Sequence, residues 1–241
     1  RFLPVPDLVL PVLYRKLKDK FGVKTVAMGV EIDNPFAVFN AKRARKFFKE
    51  LGMEIVVEVD SKMHETNFAA QVSAIRAARP DLIVLSHNSD AGGRFTRQIR
   101  ERGIKTPISD TGYTIMGRDF WNNSKGKGTG TISSSIYTSS DQRPIVQNWI
   151  NLWRKRVGKS DRVPGAYETS TYDAVKLLAK ILANAKSLGR KDIADAFLTV
   201  QNVETISGTV SFLPEHLPDI YRSKPVLVKL DDKGRLELWG D

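Results

Sequence analysis

Thr66–Leu85, TNFAAQVSAIRAARPDLIVL, is the stretch from which the rest of the chain can be read. Its first part predicts a helix over Phe68–Ala78, and the Pro80-Asp81 pair breaks it, because proline can neither continue a helix nor donate to it. Leu82–Leu85 is then an uninterrupted apolar run, the pattern of a central strand buried on both faces of a parallel sheet. The residues just beyond it, Ser86-His87-Asn88-Ser89-Asp90, fall at the carboxyl end of that strand. In open α/β sheets that is the end where ligands are held.

Working outward, the same alternation continues on both sides. Asp7 can cap a helix running to about Lys20, with Leu10, Leu13 and Leu17 on one face. Thr25–Val30 reads as a strand, and Asn34-Pro35 as a helix start with Asn as the cap and Pro at the first position. That helix carries Phe36, Phe39, Phe47 and Leu51, and Glu54–Val59 is the next strand. Downstream, Ala91–Arg102 is helical, with weaker strands around Pro107–Ser109 and Thr129–Ile136. Gly22, Gly52, Gly103, Gly158 and Gly189 each follow a predicted helix, where a left-handed cap is wanted. Strand and helix at this spacing imply right-handed crossovers and an α/β fold, a doubly wound parallel sheet covered on both faces.

The pattern changes after Tyr137. Residues 143–157, 166–186 and 191–200 are predicted helices, with no strand between the first two. Ser207–Phe212, Pro225–Leu230 and Arg235–Leu238 read as short strands, the last two joined by an Asp232-Lys233-Gly234 turn. The expected organisation is therefore one Rossmann-like lobe from 1–137 and 220–241, and a separate helical segment over 138–219.

Composition excludes several functions. The 241 residues contain no Cys, which rules out disulfides and thiol catalysis. No apolar run approaches the length of a membrane span. The formal charge of +11 comes from Lys and Arg scattered along helix faces, such as Lys42-Arg43-Arg45-Lys46, without interleaved aromatics. That is a solvated basic surface rather than a nucleic-acid site. HETNF at 64–68 lacks the second His of a zinc-protease helix, and the His at 64, 87 and 216 are too scattered for a zinc site. SKGKGTGT at 124–131 lacks the order of a phosphate loop, and no nucleophile elbow is present. No cofactor, metal or catalytic set is predicted. The opening RFLPVPD is neither a start Met nor a signal peptide, so processing or truncation is expected.

Three phrases together resemble one family: TNFAAQVSAIRAARPDLIVL, TYDAVKLLAKIL (Thr171–Leu182) and SGTVSF followed by a Pro/Asp loop. In this order and spacing the chain is similar to the type I periplasmic binding proteins of the branched-chain amino-acid class, the solute receptors of ABC importers. The resemblance implies a non-catalytic, extracytoplasmic receptor, made with a signal peptide, that captures an amino acid or an organic or aromatic acid between two lobes. It would deliver that solute to an ABC transporter permease. It also implies that the strand-rich first half of the family's first lobe has no counterpart here. The helices of 143–200 would then expose Trp149, Trp153, Leu177 and Leu178 unless a missing N-terminal half or a partner chain covers them. A ligand-sensing domain of the same fold is the alternative, and a βα enzyme a more distant one.

Position and resemblance select the same candidate ligand-binding residues. Asn34 and Phe36 follow the first strand, His87, Asn88, Ser89 and Asp90 the third, and Asp110, Thr111, Gly112 and Tyr113 the fourth. Phe36 would pack on a ligand side chain. Thr111 aligns where such receptors place the carboxylate for a ligand ammonium, and a one-residue shift would give that role to Asp110; otherwise the resemblance implies a neutral or acidic solute, to which His87 and Asn88 would donate. Tyr167 is added from near a lobe crossing. Each has a plainer reading: Asn34 as a helix cap, Phe36 as core, His87 as a solvated loop residue, and Asp110-Thr111-Gly112 as a turn.

Overall fold

The computed structural model describes residues 6–158, 163–213 and 225–240. The expected boundary at 219/220, His216 and the Pro/Asp loop after SGTVSF lie outside them. The chain divides into two compact units, one of Val5–Ser135 with Leu227–Asp241, the other of Ile136–Val226.

The first unit opens with α1 (Pro6–Phe21) and then alternates β1 (Thr25–Glu31), α2 (Pro35–Glu50), β2 (Glu54–Ser61), α3 (Ala69–Ala78), β3 (Leu82–Ser86), α4 (Ser89–Glu101) and β4 (Ile108–Asp110). A 3-10 turn (Thr114–Met116), α5 (Arg118–Ser124) and β5 (Ile132–Ser135) complete the run. The sheet order is β2-β1-β3-β4-β5, followed by the hairpin strands β8 (Val226–Leu230) and β9 (Leu236–Leu238). β1, β2, β3, β4 and β5 pair in parallel, whereas β8 and β9 are antiparallel.

Side-chain alternation sorts the strands between two cores. Val26, Met28, Leu82 and Val84 face α1 and α2, packing with Leu13, Tyr14, Leu17, Phe47 and Phe48. Ala27, Ile83 and Leu85 face the other way, onto Phe68, Ile75, Phe95 and Ile99 of the α3–α4 layer. All five residues of β3 are buried, as a central strand requires. Burial of this kind, at ~25 cal/mol per Å² of apolar surface, is what holds a doubly wound lobe together.

The second unit holds α6 (Pro144–Val157), α7 (Ala166–Asn184), α8 (Arg190–Phe197) and a hairpin of β6 (Val203–Thr205) and β7 (Gly208–Val210). Its cluster of Leu177, Ile181, Ala196, Val200, Val210 and Phe212 is smaller than either core of the sheet unit. Trp149 stacks on Tyr172 at 4.1 Å and donates its indole N–H to Thr169 Oγ1 at 3.0 Å. The buried Asp173 carboxylate accepts from the Ile206 and Ser207 amides at 3.1 and 2.8 Å, tying α7 to the hairpin turn.

Some expectations need correcting. Gly189 does not close a helix: it is the N-cap of α8 in extended backbone, and α7 ends earlier, at an Ala185 cap. Gly22, Gly52, Gly103 and Gly158 do take the positive φ of a helix end. Trp149 and Leu177 are buried inside their own unit rather than exposed, whereas Leu178 is open to solvent. The 3-10 turn, α5 and β6 were not foreseen. The signal for α5 was Gly93 in α4: a Cβ there would sit 2.4 Å from the Phe120 carbonyl oxygen, so only glycine allows α5 so close.

Candidate functional site

The loops leaving β1, β3 and β4 lie at the carboxyl edge of the sheet unit, and each is built from the inside. Asn34 caps α2, its Oδ1 accepting from the Phe36 and Ala37 amides at 3.1 and 3.4 Å. Its Nδ2 donates to Glu31 Oε2 at 2.6 Å. Asn88 caps α4 through a 2.8 Å bond from the Ala91 amide, and its own backbone N–H donates to the same Glu31 oxygen at 3.2 Å. Ser89 is half-buried at the first helical position, and Asp90 pairs with Arg94 one turn on.

The groups expected to meet a ligand by charge are engaged elsewhere. His87 is buried, with Nε2 2.8 Å from Ser61 Oγ and its ring edge-on to Phe95 at 5.4 Å. Burial pushes its pKa down to about 3, so it stays neutral. Its imidazole is a core group, not a donor at the loop surface. Asp110 is also buried: Oδ1 accepts from the Gly112 amide at 2.8 Å and from Ser133 Oγ at 2.5 Å, while Oδ2 accepts from the Ile115 amide at 3.1 Å. Burial pushes its pKa up to about 6, against the opposing pull of those hydrogen bonds. A carboxylate engaged by its own loop and by β5 in this way is not free to hold an ammonium. Thr111 is buried as well, its hydroxyl 3.0 Å from Ser86 Oγ.

Among the candidate loop residues Phe36 is the most open to solvent, 54% exposed, and its ring centroid lies 6.1 Å from that of the buried Tyr113. Gly112 and Tyr113 both have positive φ, at 78° and 105°. For tyrosine that conformation costs ~1–3 kcal/mol and persists only where the surroundings impose it. Here the Asp110 carboxylate pins the backbone on both sides, at Gly112 and Ile115. Among the described residues no group of three metal-ligating side chains occurs.

The profile of the periplasmic binding protein family matches residues 2–219. The chain belongs to that family. In fold it is similar to a leucine-binding protein from Thermotoga maritima, with a TM-score of 0.85 at 18% identity, over 98% of this chain and 65% of that one. It is similar, too, to a branched-chain amino-acid substrate-binding protein from Streptococcus pneumoniae solved with isoleucine (TM-score 0.83, 21% identity, 96% and 64% covered). A third is a solute-binding protein from Rhodopseudomonas palustris solved with benzoate (TM-score 0.81, 14% identity, 98% and 63% covered). The chain thus spans a little under two thirds of the length of these relatives. No curated protein matches it in sequence.

Within this family member the structure brings Asn34, Phe36, Asn88, Ser89, Asp90 and the Asp110–Tyr113 loop to one edge of the sheet unit. Tyr167 is in the other unit, 40% exposed on the first turn of α7. Sequence reasoning missed Glu31, the buried carboxylate that joins the two helix caps. The signal was there: an acidic residue ending the apolar strand Thr25–Val30, one step before the turn.

Proposed function

We propose that the protein is an extracytoplasmic solute-binding receptor that captures a small polar molecule, an amino acid or an organic or aromatic acid, and hands it to the permease of an ABC importer. The observation that carries this reading is the strand-end edge of a family lobe, where the exposed Phe36 stands 6.1 Å from the buried, backbone-constrained Tyr113. Binding proteins place ligands at this edge of an open sheet, where loop backbone and helix starts supply directed polar groups. Asn34, Asn88 and Asp110 shape the loops, Tyr113 backs the Phe36 ring, and Phe36 and the half-buried Ser89 are the groups offered to a ligand.

The exposed apolar faces of the α6–α8 unit belong to the same proposal. In the complete receptor they would be covered by the part of the relatives' fold that this chain does not span, supplied in the same polypeptide or by a partner.

A thermal-shift screen of amino acids, aromatic acids and dicarboxylates on the intact protein tests the reading. One class should raise Tm in a concentration-dependent way, since a ligand that binds only the folded state stabilises it by mass action. No shift with any compound, together with turnover of one of them, would replace a receptor with an enzyme.

A further inference from the structure

β1 and β3 are neighbours in the sheet, yet their chains leave in opposite directions, through α2 to β2 on one side and through α4 to β4 on the other. Such a switch point opens a crevice between the two departing loops. Two helix N-termini converge on it, the usual setting for an anionic ligand group.

In this chain the seat is filled from within. Glu31, the last residue of β1, is fully buried, and one carboxylate oxygen receives both helix caps, from Asn34 Nδ2 at 2.6 Å and the Asn88 amide at 3.2 Å. Its other oxygen, Oε1, is buried with no hydrogen-bond partner. A buried carboxylate is costly unless the site needs it, and half of this one is left unsatisfied. On the helix and loop that start here, Arg94 is engaged by Asp90 and the Glu65 and Met63 carbonyls, and His87 Nε2 by Ser61 Oγ.

We propose that Glu31 is a built-in anion that closes the switch-point seat to acids, so that the solute presents an uncharged or cationic end to this lobe. The consequence for solute choice rests on the receptor reading above; the occupancy of the seat does not. An acid group on the solute would then be read elsewhere, and a solute with an acid at both ends would be refused.

Two measurements on the intact protein test this. In the first, benzoate and terephthalate, which differ by one carboxylate, are titrated calorimetrically. The wild-type protein should bind the diacid at least about tenfold more weakly, because like charges at close range oppose each other strongly. Glu31→Ala should close most of that gap. Glu31→Gln, which keeps the volume and removes the charge, serves if the alanine variant does not fold. In the second, inorganic sulfate is titrated while the Asn88 amide is followed by NMR. It should shift in Glu31→Ala and stay unmoved in wild type. Equal binding of both acids by the wild type, or sulfate reaching the wild-type Asn88 amide, would overturn the assignment. Failure of every solute with the sulfate response intact would sink the receptor reading and leave Glu31 in its role.

Discussion

The sheet unit and the helical unit solve the burial problem differently. In the first, every strand residue from Leu82 to Ser86 is covered, and helices close both faces of the sheet. In the second, α7 buries Thr169, Asp173, Leu177 and Ile181 on one side, while Val175 is 61%, Leu178 43% and Leu182 37% exposed on another. A groove of ≈600 Å³ also lies open between α6, α7 and β6, lined by Trp149, Leu152 and Tyr172 among others. A helix apolar on more than one side is normally buried on more than one side. The sheet unit thus covers its apolar surface within itself, whereas the helical unit leaves part of its own exposed; on the proposal above, that part is where a covering layer would sit.

The largest test of that contrast is a core deletion in the sheet unit. Phe95 is fully buried and stacked on Phe68 at 4.5 Å. Phe95→Ala should cost ~3–5 kcal/mol by urea denaturation, the range for removing a packed aromatic ring. A cost below ~1 kcal/mol would mean that the lobe is loosely packed and the contrast false.

The next effect is in pH, and it also resides in the sheet unit. Asp110 has a folded pKa of about 6, above the ordinary 3.8. Its contribution is therefore fully present below pH 3.8 and is lost as pH rises through about 6, by up to ~3 kcal/mol. His87 has the opposite sign: with its folded pKa lowered from 6.5 to about 3, its contribution is present above pH 6.5 and fades as pH falls toward 3. The two oppose each other between them, so the wild-type profile alone cannot separate them. Stability of wild type minus Asp110→Asn, measured from pH 4 to 7, should fall with rising pH; a flat difference would remove Asp110 from the account.

A smaller effect separates the helix starts. α2 has a side-chain cap in Asn34, whereas α6 begins at Arg143 with none. Asn34→Ala should cost ~1 kcal/mol, the usual worth of such a cap. The loss should exceed that if the bond to Glu31 matters as well, and Asn34→Asp would then be worse still, by setting a second carboxylate against the first. A neutral alanine variant would separate the cap from the switch-point network.

Periodicity made the sheet unit legible. LIVL and TVAMGV could only be strands buried on both sides, and Asn34-Pro35 could only start a helix. What it could not convey was which polar loop residues were already spoken for. Asp110, Thr111 and His87 are hydrogen-bonded to Ser133, Ser86 and Ser61, between 23 and 26 residues away in sequence, and no local pattern reports such pairings. Glu31 stands visibly at a strand end, but its bond from the Asn88 amide, 57 residues on, which joins the two caps, has no local signature. The turn at Thr114–Met116 and the seven-residue α5 are too short and too polar to show a period. Gly189 misled because a glycine between two helices can close one or open the other, and only the backbone angle decides.

The smallest expected effect bears most directly on the helical unit. Tyr167, Thr171, Val175, Leu178 and Leu182 recur every three or four residues along α7, so they form one stripe. In this 241-residue chain the stripe faces water, and Leu178→Ser should change stability by no more than ~0.5 kcal/mol, as surface substitutions do. The same variant should reduce self-association in sedimentation velocity, because an exposed apolar stripe is the surface through which copies adhere. In a longer protein that carries the rest of the relatives' fold, the stripe would be covered. The substitution should there cost ~2 kcal/mol or more, like other buried leucine losses. A large cost in the short chain would show that the stripe is already packed against another copy, and a small cost in the long one that the covering layer lies elsewhere. Either result would move the boundary between the covered and uncovered surfaces of this molecule.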